Sequence, residues 1–531
     1  MLEHGYTFIR RGLAPGKTFI GHNSGFVLIA FAPSFLLGLA TLFLWVGELS
    51  YSYPGPARGA GGLALMMLIA GIAVCVLHAR KEAPTSPPLL AAPVIEGEAP
   101  SDEYTPSAFP LVEGLELLFG RWQQFQQETT DRAQKERNSA ILEIHIRIAM
   151  SIAELEYKTK ISFLKTFYGY KIERGTFLIR SGNAHPLVLK FDSMDNIKKE
   201  HQCYRTYIAP WIGSATPGQP LDLSQKPVQF DGQAWGAISY TMIGADTPEE
   251  VQTLGDYYKT HNFTHIKDAL ESVFTLLGPL WDTAQEPGSE LFLYDEYKKW
   301  LSWKQQEIEE GLSEVIQSAK MKGLVNITLD GSSIKIGDLD LLNPVDWTKK
   351  SFNKHSLGSW VRHPKLRSNS IVHGDLHTGN ILIEKTAKGA KPWVIDFPHT
   401  HVGPTVQDLA RLEADVKFNL LPLESFNSTA LHKFELGLLP PNSPTNRATR
   451  ADLLLAHKTP EDLRDSEMVK AWEVIGMLRE KIQGYMAGDN PQPYYLALLH
   501  ATLPILYYVN RSTEQKIYAL ISAALLCERL S

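Results

Sequence analysis

Residues 371–397 constrain this chain more than any other stretch. They read Ile371-Val372-His373-Gly374-Asp375-Leu376-His377-Thr378-Gly379-Asn380-Ile381-Leu382-Ile383 and, after a short Lys/Gly-rich connection, Trp393-Val394-Ile395-Asp396-Phe397. The apolar triplets Ile381–Ile383 and Trp393–Ile395 are spaced as two short strands joined by a turn. Such a hairpin puts Asn380 just ahead of one strand and Asp396 at the end of the other. Phosphoryl transfer needs a set of this kind: one carboxylate to orient or deprotonate an acceptor hydroxyl, and two oxygen ligands to hold Mg²⁺ against nucleotide phosphates. That chemistry is mainly positioning and charge neutralisation, so a few rigidly held oxygens suffice.

The motif HGDLHTGN followed by VIDF resembles the catalytic and metal-binding loops of the aminoglycoside phosphotransferase and choline kinase branch of the protein-kinase-like superfamily. The resemblance implies an α+β fold with a small β-rich lobe and a larger helical lobe, and ATP and Mg²⁺ as cofactors. It makes Asp375 the catalytic base, with His373 in the same catalytic set, and Asn380 and Asp396 the metal ligands. His373 and His377 would brace the loop through hydrogen bonds.

Upstream, Leu187-Val188-Leu189-Lys190-Phe191 reads as a strand, and Asp195–Tyr204, with Glu200, as a helix. A lone strand lysine is commonly a solvated edge residue. By the same resemblance, Lys190 and Glu200 form the pair that holds the α/β-phosphates. Phe163–Gly169 and Gly175–Ile179 read as the first two strands, with Gly169–Gly175 the phosphate-covering loop. This loop departs from the kinase pattern: bulky Tyr170 and Ile172 lie between its two glycines, whereas close approach of backbone amides to phosphate favours glycine. Trp235–Gly244 reads as the last small-lobe strand entering a hinge, with Tyr240 and Met242 on the adenine side. Leu254–Tyr257 starts the first large-lobe helix. The segments WGAISY, EHQCYRTYI and IDFPHT…DLARLEA narrow the resemblance to the ternary complex associated domains of bacterial signalling and conflict systems. Asp408 and Glu413 either anchor the large lobe or form a charged helix face. His399-Thr400-His401 lacks the carboxylate or Cys spacing of a metal site.

Residues 258–370 form an insertion between hinge and catalytic loop, helical first and then a hairpin around Asp330-Gly331. Substrate identity is expected to reside there. Tyr494–Val509 is apolar but carries His500 and Pro504, and reads as core. Residues 111–160 form a connector, polar and helical up to about Arg137. Leu142–Met150 alternates like a strand yet also fits helical spacing through Ile141, Ile144, Ile148 and Ile152.

Ahead of this lie two charge-free runs. Gly25–Gly47 has 23 residues without a charge, and Gly59–Leu77 repeats the pattern. About 20 such residues cross a bilayer as a helix. The first run is too long for a signal-peptide core. Arg10, Arg11 and Lys17 before it, with Arg80 and Lys81 after the second, place both chain ends in the cytoplasm by the positive-inside rule. The expected order is therefore a basic N-terminus (1–24), a two-span transmembrane hairpin in the inner membrane (25–79), a Pro-rich linker (80–110), the connector (111–160), a small lobe (161–245) and a large lobe (246–531). Gly12–Thr18 resembles a P-loop but has three residues between its glycines where four are needed.

Composition excludes other classes. Three cysteines form neither a disulfide framework nor a zinc site. A net charge of −6 argues against a nucleic-acid partner. The expected partners are a nucleotide, a hydroxyl-bearing substrate, the membrane, and proteins reached through 111–160. The competing expectation is a non-catalytic, nucleotide-sensing scaffold. If 25–79 anchors the chain, full-length protein will stay in the membrane pellet after an alkaline carbonate wash, and protein beginning at residue 80 will remain in the supernatant.

Overall fold

The computed structural model describes residues 111–128, 132–167, 175–182, 184–212, 215–217, 228–230, 232–242, 250–283, 293–353, 370–423, 426–439, 465–486 and 490–531. The expected transmembrane hairpin and Pro-rich linker lie outside these residues, as does Gly169. Among the described residues no helix is long and apolar enough to cross a membrane.

The first lobe is a sheet of seven described strands: β1 (Val112–Glu113), β2 (Ile161–Phe167), β3 (Gly175–Ser181), β4 (Leu187–Ser193), β5 (Ala215–Pro217), β6 (Val228–Phe230) and β7 (Gln233–Met242). Their order is β1-β2-β3-β4-β7-β5, with β6 also on β7. All pairs are antiparallel except β1 with β2. Period-two alternation gives the sheet two apolar faces. Phe163, Phe177, Ile179, Leu189, Phe191 and Ala237 form one core, while Leu178, Val188, Ile238 and Tyr240 join the core of the helical lobe.

The first of those faces is covered by α1 (Leu115–Glu128) and α2 (Arg132–Ile152). Residues 111–160 are thus packed into the sheet lobe, with Val112 in register with Ile161. The ambiguity at 142–150 resolves as helix. Glu143 and Arg147, four residues apart, are exposed, while Ile144, Ile146, Ile148 and Ala149 between and after them are buried. Alternation arose because nearly the whole circumference of α2 is buried, leaving one narrow polar stripe at helical spacing.

α3 (Met194–Cys203) follows β4 directly, capped by the Ser193 side chain. Then come β8 (Gln252–Thr253), α4 (Leu254–Thr260), α5 (Phe263–Trp281) and α6 (Leu293–Met321). The expected hairpin around Asp330-Gly331 is present as β9 (Ile327–Asp330) and β10 (Ser333–Ile336), and β11 (Leu339–Leu342) adds a third strand. After α7 (Pro344–Asn353) come β12 (Ser370–Val372), β13 (Ile381–Thr386), β14 (Gly389–Val394) and β15 (His401–Gly403). The lobe is completed by α8 (Val406–Asp415), α9 (Ser428–Leu438), α10 (Ser466–Gln483), α11 (Gln492–Thr502) and α12 (Thr513–Leu530). The mixed α+β arrangement expected from the sequence, a sheet lobe followed by a helical lobe, is therefore observed. Of Tyr494–Val509, the stretch to Leu506 is buried apart from half-buried His500, as expected of core, whereas Val509 at its end is exposed.

Replacing Ile148, fully buried between α2 and the sheet, with Ala is expected to lower stability by about 2–5 kcal/mol. Glu143→Ala, on the exposed stripe, should stay within about 0.5 kcal/mol. Urea unfolding of the two variants beside the parent checks both.

Candidate active site

The segment between β12 and β13 is a loop whose backbone is held from outside. Asp408, near the start of α8, accepts from His373 N at 2.8 Å and Gly374 N at 2.9 Å, and from Trp281 Nε1 at 3.1 Å. One turn pair later on the same helix, Asp415 accepts from Thr378 N at 2.8 Å. Both carboxylates are buried. Of the two readings of Asp408, the anchoring one fits the structure. Glu413 is likewise an anchor: Arg479 grips it through two nitrogens at 2.9 and 2.7 Å, and the Tyr494 hydroxyl donates to it. Gly374 has φ +80°, and a Cβ there would lie 2.2 Å from His399 O, so only glycine fits this turn.

His373 is a brace. Its ring is buried, Nε2 lies 3.0 Å from Ile395 O, and Nδ1 accepts from Asp375 N at 3.4 Å. With both nitrogens turned onto backbone, it shapes the loop. His377 Nδ1 accepts from Gly379 N at 3.1 Å, the bracing role expected of it.

Asp375 projects from this loop with 32% of its side chain exposed. Burial opposes its ionisation, but Arg411, then His377, His399 and His373, outweigh that and hold the carboxyl well below the usual carboxylate range. Arg411, on α8, places Nε 3.1 Å from Asp375 Oδ1. Sequence reasoning missed this residue. Its position one turn past Asp408 on a helix already tied to the loop was the available signal.

Asn380 Nδ2 donates to Asp375 O at 3.0 Å, which fixes the amide and turns its oxygen the other way. β13 and β14 pair as the expected hairpin, Ile381 opposite Val394, so Asp396 follows directly after the strand beside Asn380. Asp396 has φ +73°, rare for a non-glycine residue and typical of functional loops. Its N–H donates to the Tyr240 hydroxyl at 3.3 Å.

Lys190 connects the lobes. Its Nζ lies 2.7 Å from Glu200 Oε2 and 2.6 Å from Asp396 Oδ1. The strand lysine is thus buried and doubly paired, not a solvated edge residue. Burial disfavours its charge, but Asp396 and Glu200 more than restore it. Burial pushes the Glu200 carboxyl up to about 7 against the pull of Lys190, while Lys190 draws Asp396 down despite its own desolvation. Glu200 Oε1 also accepts from Phe397 N at 3.3 Å.

Gly175, Tyr240 and Met242 lie in the strands in which the sequence reading put them. Gly175 sits inside β3, where a Cβ would lie 2.4 Å from the Phe177 ring, so packing explains this glycine. Tyr240 and Met242 are still within β7, paired with Pro217 and Ala215 of β5. β5 extends the sheet beyond β7. Among the described residues no group of three or more His, Cys, Asp or Glu could hold a metal ion. Asn380 and Asp396 supply one amide oxygen and one carboxylate, hard donors that suit Mg²⁺ completed by phosphate and water.

Replacing Lys190 with Met leaves two carboxylates facing each other across a buried site, a loss of about 3–5 kcal/mol. Glu200, already raised to about 7 with Lys190 present, rises further without it. A carboxyl with a folded value above its unfolded one binds its proton preferentially in the folded chain, so the variant should gain stability as pH falls from about 8 to about 5. Thermal midpoints across that range check the sign, and adding Glu200→Gln should flatten the dependence.

Comparison with known proteins supplies context. The chain is similar over most of its length to solved structures at low identity. One is a thermostable mutant of an aminoglycoside phosphotransferase: 12% identity, 72% of this chain and 98% of that one, TM-score 0.38. Another is a microcompartment-associated aminopropanol kinase: 15% identity, 67% and 87% coverage, TM-score 0.29. A third is an ethanolamine kinase of Plasmodium vivax: 11% identity, 79% and 98% coverage, TM-score 0.32. No curated protein matches the chain. Residues 300–507, which span the loop between β12 and β13 and α8, match the family model for ternary complex associated domain 9, one of the group that the sequence resembles.

Proposed function

We propose that this chain is an ATP- and Mg²⁺-dependent phosphotransferase acting on a hydroxyl of a small molecule, held at the inner face of a membrane by residues 25–79. The observation that carries the reading is the buried Lys190 bridging Glu200 and Asp396, with Asn380 one hairpin partner away and Asp375 on the same loop. Membrane attachment rests on the two charge-free runs and their flanking cations.

Each residue has a role set by its surroundings. Lys190 is kept charged at the nucleotide side, suited to the α/β-phosphates. Asn380 and Asp396 would hold Mg²⁺, which supplies charge neutralisation to the phosphates when bound. Asp375 stays ionised, so it acts mainly by accepting the hydrogen bond of the acceptor hydroxyl and orienting its oxygen. Asp408 and Asp415 fix the loop from below and take no part in the reaction.

A second reading, a non-catalytic nucleotide-sensing scaffold, is favoured by one feature: both key carboxylates are already paired, Asp396 with Lys190 and Asp375 with Arg411. Purified full-length protein with labelled ATP, Mg²⁺ and a panel of hydroxyl compounds separates the two. Phosphoryl transfer that falls about 10²–10⁴-fold in Asp375→Asn supports the enzyme. Transfer unaffected by that change removes Asp375 from the role. Nucleotide-dependent thermal stabilisation without any turnover selects the scaffold.

A further inference from the structure

The two arginines that α8 brings into play are used in opposite ways. Arg479 is fully buried and spends its planar fork on Glu413, two nitrogens on two oxygens, with its third nitrogen on Leu438 O. That is the closed, bidentate pairing expected of a structural arginine. Arg411 meets its carboxylate through Nε alone and keeps 22% of its side chain exposed. Tyr508 lies close to it as well. A guanidinium has five N–H donors, so an open edge of the fork remains beside Asp375.

The edge is surrounded by imidazoles and by the carboxylates of Asp375 and Asp415. His377 from the loop, His399 after β14 and His373 beneath lie around Asp375, and His373 and His377 each accept a backbone N–H through Nδ1. The other nearby carboxylates are engaged: Asp415 accepts from both the N–H and the hydroxyl of Thr378, and Asp396 from Lys190. On the far side, His500 stacks on Tyr297 at 3.9 Å and meets Trp300 edge-on at 4.3 Å, next to a cavity of about 10 Å³ lined by Leu496, Leu499 and Leu503. Burial, with Arg411 adding to it, pushes His500 down to about 3, so its ring is neutral beside Arg411. Among the described residues, the two carboxylates of this corner, Asp375 and Asp415, already accept from Arg411 and Thr378, and an anion is offered the N–H groups that Arg411 does not place on Asp375.

Resting on the phosphotransferase reading of the same site, we propose that Arg411 binds an anionic group of the acceptor, so that the substrate class is a hydroxyl compound bearing a carboxylate or phosphate ester. Engagement of the open edge leaves Nε on Asp375. The acceptor's anion and its reacting hydroxyl are then indexed to the same two residues, one to the guanidinium and one to the carboxylate. No bond changes beyond the transfer already proposed are required.

The test uses full-length protein with a non-hydrolysable ATP analogue and Mg²⁺, titrated calorimetrically with matched probes: glucuronate against glucosamine, and glycerate against 2-aminopropane-1,3-diol. The acids should bind at least about tenfold more tightly than the amines, since a hydrogen-bonded charge pair is worth that much or more. Arg411→Gln should erase the preference, Arg411→Lys should keep part of it, and Asp375→Asn should leave it standing. Equal or tighter binding of the amines, binding of no probe, or unchanged acid binding in both Arg411 variants overturns the proposal. Parallel assays with hydrolysable ATP keep the two readings apart. Acid binding without transfer removes the enzyme and preserves the anion site, whereas transfer to amines preserves the enzyme and removes the anion site.

Discussion

One ammonium group joins three parts of the chain that are distant in sequence. Lys190 Nζ, on a strand of the sheet lobe, lies between Glu200 on the following helix and Asp396 beyond the β13–β14 hairpin. With Glu200 fully buried and Lys190 nearly so, the three charges are stable only together, because a buried charge without its partner is strongly destabilising. Strand register puts Lys190 opposite Ile238, on the face shared with the helical lobe, and the Ser193 cap starts α3 at the phase that turns Glu200 inward. The unusual backbone of Asp396 is held by the same contacts, with the Tyr240 hydroxyl at its amide.

α8 performs the corresponding service for the catalytic loop. Asp408 and Asp415 spend their oxygens on the loop's N–H groups, and Glu413 ties the helix to α10 and α11 through Arg479 and Tyr494. Buried carboxylates with satisfied partners make a rigid frame. Asp375 differs from all of them in being partly open, with 32% of its side chain exposed.

Much of this was legible in the sequence. β2, β3, β4, β7 and the β13–β14 hairpin lie where the apolar triplets and alternation put them, since short strands flanked by turn residues carry a local signal. The pairing of Lys190 with Glu200 was implied by the family resemblance, and the placement of Asn380 and Asp396 by the spacing of the apolar triplets. Other features were not legible. α2 looked equally like a strand, because burial around its circumference hid the helical period. β11 carries no signal apart from the hairpin it joins. The β5 edge strand that pairs with Met242 arises from a separate short segment and was not expected. Arg411 was one charge among several on a helix, and nothing local to DLARLEA says which of its faces meets Asp375.

The sequence alone determined the chemistry available at 371–397, the strands that present it and the alternation that buries both sheet faces, because each depends on residues within a few positions of one another. Tertiary structure decided what the isolated charges do. Whether Lys190 is solvated or sealed, whether Glu413 decorates a helix or anchors it, and whether an arginine closes on a carboxylate or stands open beside one depends on partners 10 to 206 residues away. The reason is physical: a charge takes its meaning from the groups that replace its water, and only the folded chain selects those groups.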